Sequence, residues 1–277
     1  MFYRFPRSRV SIAATPKTGR TSILTFLVDL ENRLGAPEAG GKTPAQDLDK
    51  RLKPFVIGDD SATGEGELRL ATVRDPAARI ASCWLDKLVD GTAVWLAKHQ
   101  SEDWFPEDFR TPEAIEASFL AFLGALRKDS EFFHSDPHWA PQSWMLRHWQ
   151  AARCVATGEL ADLPPAILGR LDLPAGLAPA PMPHKHRTEA WLKPFLLTPA
   201  ARALISEVYS SDYALLETHG KKPAASLTGF EPHDALKLTA FDREVHLRRS
   251  RRLSRSLSAI LNRAVWRHLV PADGQEA

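Results

Sequence analysis

Apolar and polar positions along the first two-thirds of the chain predict strands that lead directly into helices. Residues 11–15 form a short apolar run, and an amphipathic helix opened by Thr21 and Ser22 follows. The same order returns at residues 68–73, where an apolar strand precedes a helix that reaches about Val89. This alternation predicts an α/β fold, a P-loop-like parallel sheet flanked by helices.

Weaker patterns complete the predicted fold. Further strands are predicted at residues 54–58 and 153–157, and further helices at residues 112–127, 163–173 and 199–217. Residues 31–49 carry Gly, Pro and polar positions and predict a loop, while residues 92–110 predict an irregular insertion on the acceptor side. In such sheets a ligand binds beyond the carboxyl ends of the strands.

The loop between the first predicted strand and helix suits an anion. Its sequence from residue 16 to residue 22 is PKTGRTS. The N–H groups of a first helical turn point at such a ligand, and the helix dipole favours negative charge there. Gly19 permits close backbone approach, and Lys17 supplies a mobile positive charge. The order differs from a Walker A loop, where the Lys directly precedes the helix.

A second polar motif follows the strand at residues 68–73. In RDPAARIAS, Arg74 leaves the strand and Ser82 lies eight residues later on the predicted helix. Asp75 is a natural N-cap, and the proline after it suits the first helical position. Helical spacing puts Arg79, Ser82 and Asp86 on one side. An arginine fork and a hydroxyl are suitable donors for phosphate oxygens.

Together, the two motifs resemble the phosphosulfate-binding motifs of the sulfotransferases that use 3′-phosphoadenosine 5′-phosphosulfate (PAPS). The resemblance is closest to the branch of carbohydrate sulfotransferases and their bacterial homologues. It covers about residues 9–220 and includes weaker matches at residues 135–142 (SDPHWAPQ), 158–159 (GE) and 203–216 (ALISEVYSSDYALL).

The resemblance implies how the donor is held. Arg74 and Ser82 would grip its 3′-phosphate. Arg20 stands where bacterial relatives often have a second Gly, and whether it contacts phosphate or points to solvent is left open. The residues expected to bind the 5′-phosphosulfate are Lys17, Thr18, Gly19, Arg20, Thr21 and Ser22.

The resemblance also implies sulfuryl transfer, for which no divalent metal is needed. Lys17 is expected to stabilise the leaving oxygen. His138, in the matched HW segment, is the first candidate for the general base because imidazole titrates near neutrality. Asp59 and Asp60 are rivals, since some relatives place their base just beyond the second strand.

No metal-binding pattern such as HExxH or CxxC is present in the sequence. His184 and His186, in PHKHRT, are expected to contact the acceptor or lie on the surface. Cys83 and Cys154 are expected to be buried as small apolar residues, because two cysteines make no disulfide framework.

Composition narrows the class of protein. The chain has 277 residues, of which 44% are hydrophobic and 25% charged, as in a globular protein. A net charge of +2 gives no general reason to expect nucleic-acid binding. The N-terminus lacks the apolar core of a signal peptide, and we expect a cytoplasmic location.

The C-terminal part has a different character. We expect a sulfotransferase domain at residues 1–220 and an extension at residues 221–277, with a basic amphipathic helix over residues 242–269. This helix could pack on the domain or on a second subunit of a homodimer, or bind the inner membrane face. Its basic residues include Arg248, Arg249, Arg251, Arg252, Arg255, Arg263 and Arg267, and its apolar stripe is Leu253, Leu257, Ile260, Leu261, Ala264 and Val265.

These observations predict a sulfotransferase that moves a sulfuryl group from PAPS to a hydroxyl of a sugar or glycolipid, with PAP as the product. A nucleotide-dependent kinase is the alternative enzyme, and the early Lys17 and the RDP motif count against it. A non-catalytic membrane or partner adaptor is the third class, and the intact Lys17, Arg74 and Ser82 count against that. The identity of the acceptor is left open.

Overall fold

The computed structural model describes residues 2–35, 48–58, 66–151, 153–171, 182, 190–222 and 234–269. Five strands form one sheet in the order β3-β1-β2-β4-β5. The strands are β1 (Phe2–Phe5), β2 (Val10–Ala14), β3 (Val56–Ile57), β4 (Leu68–Val73) and β5 (Arg153–Ala156).

Helices cover the sheet and build a second layer beside it. In chain order they are α1 (Arg20–Gly35), α2 (Leu48–Leu52), α3 (Pro76–Cys83), α4 (Ala93–His99), α5 (Pro112–Lys128), α6 (Ser130–His134), α7 (Gln142–Leu146), α8 (Leu163–Leu168), α9 (Lys193–Leu196), α10 (Pro199–Val208), α11 (Ser210–Thr218) and α12 (Asp234–Leu269). Helix α3 continues directly into a π-helical segment, Trp84–Val89.

The sheet is mixed, so the prediction of a parallel sheet is wrong at one edge. Strands β2, β4 and β5 are parallel, as predicted. Strand β1, which the sequence analysis did not predict, pairs antiparallel with both β2 and β3. A turn at residues 6–9 joins β1 to β2, and so short a connection permits only an antiparallel pair.

Apolar side chains fill the space on each side of the central strands. All five residues of β2 are buried. One cluster lies between the sheet, α1 and α8 and includes Ile12, Leu24 and Ile167. A second cluster joins α3, α5, α10 and α12 and includes Trp84 and Phe119. The predicted helix at residues 112–127 lies inside this second cluster as α5, with its apolar stripe buried as expected.

Several predicted element boundaries are wrong. The predicted loop at residues 31–49 begins too early, because α1 continues to Gly35 and α2 occupies its end. Glu31 stays in the helix because its carboxylate accepts hydrogen bonds from the N–H groups of Arg7 (2.7 Å) and Ser8 (3.0 Å). The predicted irregular segment 92–110 contains α4, and the predicted helix at residues 163–173 ends at Leu168.

The predicted helix at residues 199–217 is interrupted at Tyr209, between α10 and α11. The hydroxyl of this fully buried tyrosine donates a hydrogen bond to the main-chain oxygen of Trp139 at 2.7 Å. This hydrogen bond therefore fixes the junction between α10 and α11 to the segment that carries Trp139.

Helix α12 begins at Asp234, eight residues before the predicted start, and its first half packs on the rest of the chain. Leu238, Phe241 and Val245 are buried in the cluster with α3 and α5. Arg249 is buried as well. In the part of the chain that the structure describes, no helix is both long enough and apolar enough to span a bilayer.

Candidate active site

The loop at residues 15–19 is fixed to the neighbouring strand β4. The Thr18 side chain is fully buried, donates to the main-chain oxygen of Thr15 (2.7 Å) and lies 2.6 Å from the hydroxyl of Thr72. The Thr15 hydroxyl donates to the main-chain oxygen of Thr72. The hydroxyl of Thr18 therefore holds the loop in place. The main-chain N–H of Thr18 is the group that could donate to a phosphate.

Gly19 makes the tight entry into α1 possible. Its φ is +82°, and a Cβ there would overlap the side chain of Leu160. The Gly19 oxygen accepts hydrogen bonds from the N–H groups of Ser22 and Ile23, which begin the helix. A side chain at position 19 would be strained and would also collide with a core residue.

The Arg20 side chain has hydrogen-bond partners within the fold. Its guanidinium donates to the Tyr3 hydroxyl at 2.7 Å and lies 3.4 Å from the Asp49 carboxylate. The group points towards β1 and α2. The main-chain N–H at the start of α1 is the part of Arg20 that suits an anion.

Lys17 lies in the left-handed backbone region, with φ at +68°. Its ammonium forms an ion pair with Asp86 at 2.6 Å, and 17% of its side chain is exposed. Burial lowers the pKa of Lys17, although the hydrogen bond and charge of Asp86 act in the opposite direction. The carboxylate of Asp86, which lies in the π-helical segment, therefore holds the Lys17 ammonium beside the loop.

Arg74 is held at the end of β4 by a buried amide. Its N–H donates to the Gln142 side-chain oxygen (2.9 Å), and the Gln142 amide donates back to the Arg74 oxygen (2.8 Å). The fully buried Asp212 accepts a hydrogen bond from the Gln142 N–H at 2.9 Å. The matched segments at residues 135–142 and 203–216 thus fix the backbone of Arg74.

The guanidinium of Arg74 contacts the loop at residues 15–19, which is predicted to bind phosphate and is called the phosphate loop below. Its NH1 donates to the main-chain oxygen of Lys17 at 2.8 Å. Burial first, and then the repulsion from Arg79, lower the pKa of Arg74, while Asp75 opposes this. Burial, and then the positive charge of Arg74, lower the pKa of Lys193, a lysine that the sequence analysis did not single out.

Helix α3 carries the rest of the second motif. Asp75 caps it by accepting from the Ala78 N–H at 2.7 Å, as predicted. Ser82 is buried on this helix. Arg79, also buried, donates to the main-chain oxygens of Pro16 (3.3 Å) and Pro137 (2.9 Å). Arg79 therefore joins the phosphate loop to the segment that carries His138.

His138 forms a dyad with Asp136. Its Nδ1 and its main-chain N–H lie 2.7 Å and 2.8 Å from one Asp136 oxygen. Burial alone would raise the pKa of Asp136, but the hydrogen bonds from His138 outweigh burial and lower it. An ionised carboxylate only accepts, so Nδ1 is the ring nitrogen that donates to Asp136. In a neutral imidazole with this tautomer, Nε2 is the acceptor.

The dyad lies on the same side of the fold as Lys17. Trp95 contacts the His138 ring edge-on, with centroids 5.9 Å apart, and the Lys87 ammonium lies 5.8 Å from the Trp95 ring centre. Lys87 also lies 3.2 Å from Asp86, the partner of Lys17. A continuous set of contacts thus links the phosphate loop to the candidate base, His138.

The other candidate residues have different outcomes. Asp59, Asp60, His184 and His186 lie outside the described residues. Glu159 forms an ion pair with Lys221 at 2.6 Å and supports the segment after β5. Within the described ranges, no group of three or more His, Cys, Asp or Glu side chains could hold a metal ion.

Both cysteines are buried thiols. Burial raises the pKa of Cys83 to about 12 and that of Cys154 to about 11. Cys83 lies close enough to Lys17 and Arg79 for their charges to act on it, yet burial dominates. Neither thiol is suited to nucleophilic chemistry near neutrality.

Comparison with known proteins identifies the family of the chain. The model of the sulfotransferase family matches residues 1–217, and the chain therefore belongs to that family. No curated protein and no solved structure gives a significant match. The matched region contains both phosphate motifs, the dyad and Asp212, and it ends before α12.

Proposed function

We propose that the protein transfers a sulfuryl group from PAPS to a hydroxyl group of a sugar or glycolipid. The observation that carries this proposal is the hydrogen bond from Arg74 NH1 to the Lys17 oxygen, at 2.8 Å. It brings the two phosphate motifs together at the carboxyl ends of the adjacent parallel strands β2 and β4. Ligands of open α/β sheets bind at such an edge.

The residues at this edge fit the chemistry of PAPS. The donor carries a 3′-phosphate and a 5′-phosphosulfate, and the site contains the cations Lys17 and Arg74. The arginine fork suits the 3′-phosphate, with Ser82 as a neutral donor. The N-terminus of α1 and the narrow turn at Gly19 suit the 5′-phosphosulfate.

In the proposed reaction, the acceptor oxygen forms a bond to sulfur while the bond from sulfur to the bridging phosphate oxygen breaks. The electron pair of the broken bond stays on that oxygen, which leaves with PAP. Lys17 stabilises the negative charge that develops there. The proton of the acceptor hydroxyl passes to Nε2 of His138, because Asp136 keeps the other ring nitrogen protonated.

The surroundings of His138 support a sugar as acceptor. Trp95 is half-buried beside His138, and the Lys87 ammonium lies near its ring. Sites for small ligands combine an aromatic surface with a few polar groups that fix orientation. A sugar ring that lies against Trp95 would place one of its hydroxyls near His138 and towards the phosphate loop.

A thermal-shift panel with PAP, PAPS, ATP and GTP tests the donor. Selective stabilisation by PAP and PAPS is expected, and a ligand at one hundred times its Kd stabilises a protein by about 2.7 kcal/mol. Stabilisation by ATP alone would favour a kinase, and stabilisation by none of the four would favour the adaptor. Transfer of labelled sulfate from PAPS to a panel of sugars and glycolipids then tests the acceptor.

A further inference from the structure

The partner of Lys17 is a carboxylate outside both phosphate motifs. Asp86 lies 2.6 Å from the Lys17 ammonium and 3.2 Å from the Lys87 ammonium, through the same oxygen. Its side chain is 39% exposed, whereas those of Lys17 and Lys87 are 17% and 21% exposed. The Asp86 carboxylate therefore pairs with two largely buried cations, Lys17 and Lys87. Lys17 is the proposed stabiliser of the leaving oxygen.

The backbone around Asp86 is unusual. Residues 84–89 form a π-helical segment, and the Asp90 N–H accordingly bonds the Leu85 oxygen, five residues back. π-Helical turns are rare, and they occur frequently at functional sites. The extra residue in this turn alters the direction in which Asp86 and Lys87 leave the helix.

We infer that Asp86 is a positioning residue that holds the Lys17 ammonium at the phosphate loop. When the donor binds, Asp86 releases this ammonium to the leaving oxygen. This inference rests on the proposed function. An anionic phosphosulfate competes with Asp86 for Lys17 because both carry negative charge. Asp86 then keeps Lys87 as its partner, so no unpaired carboxylate remains beside the sulfuryl group.

The charged groups around Lys17 predict how its titration should respond. Burial lowers the pKa of Lys17, Asp86 and Cys83 act to raise it, and Lys87 acts to lower it. Removing Asp86 should therefore lower the pH at which Lys17 loses its proton. Removing the charge of Lys87 should raise that pH. If the Asp86 carboxylate did not hold the Lys17 ammonium, its removal would leave the titration of Lys17 unchanged.

The first experiment measures Lys17 without donor or activity. The rate at which Lys17 reacts with acetic anhydride is followed from pH 6 to 11 by mass spectrometry, in the wild type and in variants. The midpoint should fall in Asp86→Asn, rise in Lys87→Met and return towards wild type in Asp86→Glu. Asp108→Asn is the matched control, because the Asp108 side chain is similarly exposed, at 40%, and pairs with Arg110 instead of Lys17.

The second experiment measures kcat/KM for PAPS against pH, since this ratio reports groups of the free enzyme. In Asp86→Asn the basic limb should move to lower pH, with a loss on the order of tenfold or more, because hydrogen bonds between charged groups contribute this much. Asp86→Glu should recover part of the loss, and Asp108→Asn should keep the wild-type profile.

The two sets of data separate the inference from the proposed function. A Lys17 midpoint that is unchanged in a folded Asp86→Asn variant overturns the inference, whatever the enzyme does with PAPS. Should Asp86→Asn fail to fold, the double variant Asp86→Asn/Lys87→Met decides, because it removes the carboxylate together with one of its two cations. A midpoint in the double variant that is no lower than in Lys87→Met alone overturns the inference. Shifted midpoints in a protein that transfers no sulfuryl group contradict the proposed function and the release step, and leave the ion pair as a resting-state contact only.

Discussion

Arg74 and Lys17 are joined by a hydrogen bond of 2.8 Å from the guanidinium of one to the main-chain oxygen of the other. The contact spans 57 residues of sequence and connects the two phosphate motifs. Lys17 has a φ of +68°, and its oxygen points towards β4 and accepts this hydrogen bond. The Arg74 side chain therefore shapes the loop as well as providing charge.

Loss of the Arg74 or Ser82 side chain should weaken PAP binding. Removing a charge-assisted contact costs about 1.5–3 kcal/mol, so Arg74→Ala should weaken binding by roughly tenfold to a hundredfold. Ser82→Ala should have a smaller effect because its hydroxyl is neutral. Calorimetry of PAP binding measures both. Arg147→Ala, at an exposed arginine that stacks on Trp144, is the control and should bind PAP normally.

Lys17→Ala should lower kcat far more than it weakens PAP binding. The reason is that the charge on the leaving oxygen develops mainly in the transition state, where an ammonium has its largest effect. Steady-state kinetics with PAPS and calorimetry with PAP separate the two quantities. Lys98→Ala, on the exposed side of α4, is the matched control. Turnover close to wild type in Lys17→Ala would exclude the proposed role.

His138→Ala should reduce kcat by about 10²- to 10⁴-fold, the usual contribution of a general base. His134→Ala is the control, because this half-buried histidine lies four residues earlier and its Nδ1 pairs with the main-chain oxygen of Ser130. Asp59→Ala and Asp60→Ala are measured in the same assay. A larger loss in either of them than in His138→Ala would transfer the role of base to that aspartate.

The Asp136–His138 contact should stabilise the fold in a pH-dependent way. The pKa of Asp136 in the folded protein is below its ordinary value of 3.8, so the stabilisation is present above about pH 4. It is lost as the pH falls through the lower, folded pKa. The difference in melting temperature between wild type and Asp136→Asn should therefore be largest near neutrality and shrink in acid. A difference that grows below pH 4 would contradict this assignment.

The proposed contact of the C-terminal helix with a membrane has a sharper test than removal of residues 243–277. That deletion would also take away Val245 and Arg249, which are buried in the fold, and would lower the melting temperature. Deleting residues 255–277 spares them. Basic residues near an anionic surface contribute about 1 kcal/mol each.

The shorter chain should therefore keep its melting temperature and PAP binding and lose salt-sensitive co-sedimentation with anionic vesicles. Co-sedimentation of the full chain that is absent at low salt would rule out the membrane proposal. A lower melting temperature or a change in oligomeric state on deletion would instead indicate packing within the fold or a dimer.

The parts of the fold that could be predicted from the sequence are encoded by neighbouring residues. The strand–loop–helix units around Lys17 and Arg74 contain their own apolar runs, and both units are present. The helix after Arg74 is capped by Asp75 as predicted, but it ends at Cys83 and the predicted stretch to Val89 is π-helical. Strand β1 was missed because FYRF is short and depends on its pairing with β2 and β3. The position of Glu31 likewise depends on contacts with Arg7 and Ser8, more than twenty residues away.

The support of the site could not be predicted for the same reason. Gln142 and Asp212 hold the backbone of Arg74 through contacts across about seventy residues of sequence. Asp86 could be placed on the face of Arg79 and Ser82 by helical spacing, but its ion pair with Lys17 depends on the π-helical turn. No local pattern indicates where a helix gains that extra residue.

The end of the π-helical segment is closed by side chains from the last helix of the chain. Arg249 donates to the main-chain oxygens of Leu88 and Val89, and Arg252 to those of Asp90 and Gly91. These arginines lie beyond the region that the family model matches.

It follows that α12 and the segment bearing Asp86 should open and close as one cooperative unit. The amide of Asp90, bonded to Leu85, should be protected from hydrogen exchange only while α12 is docked. Deuterium uptake around the active site would thus follow the fraying of a helix that begins more than 140 residues later.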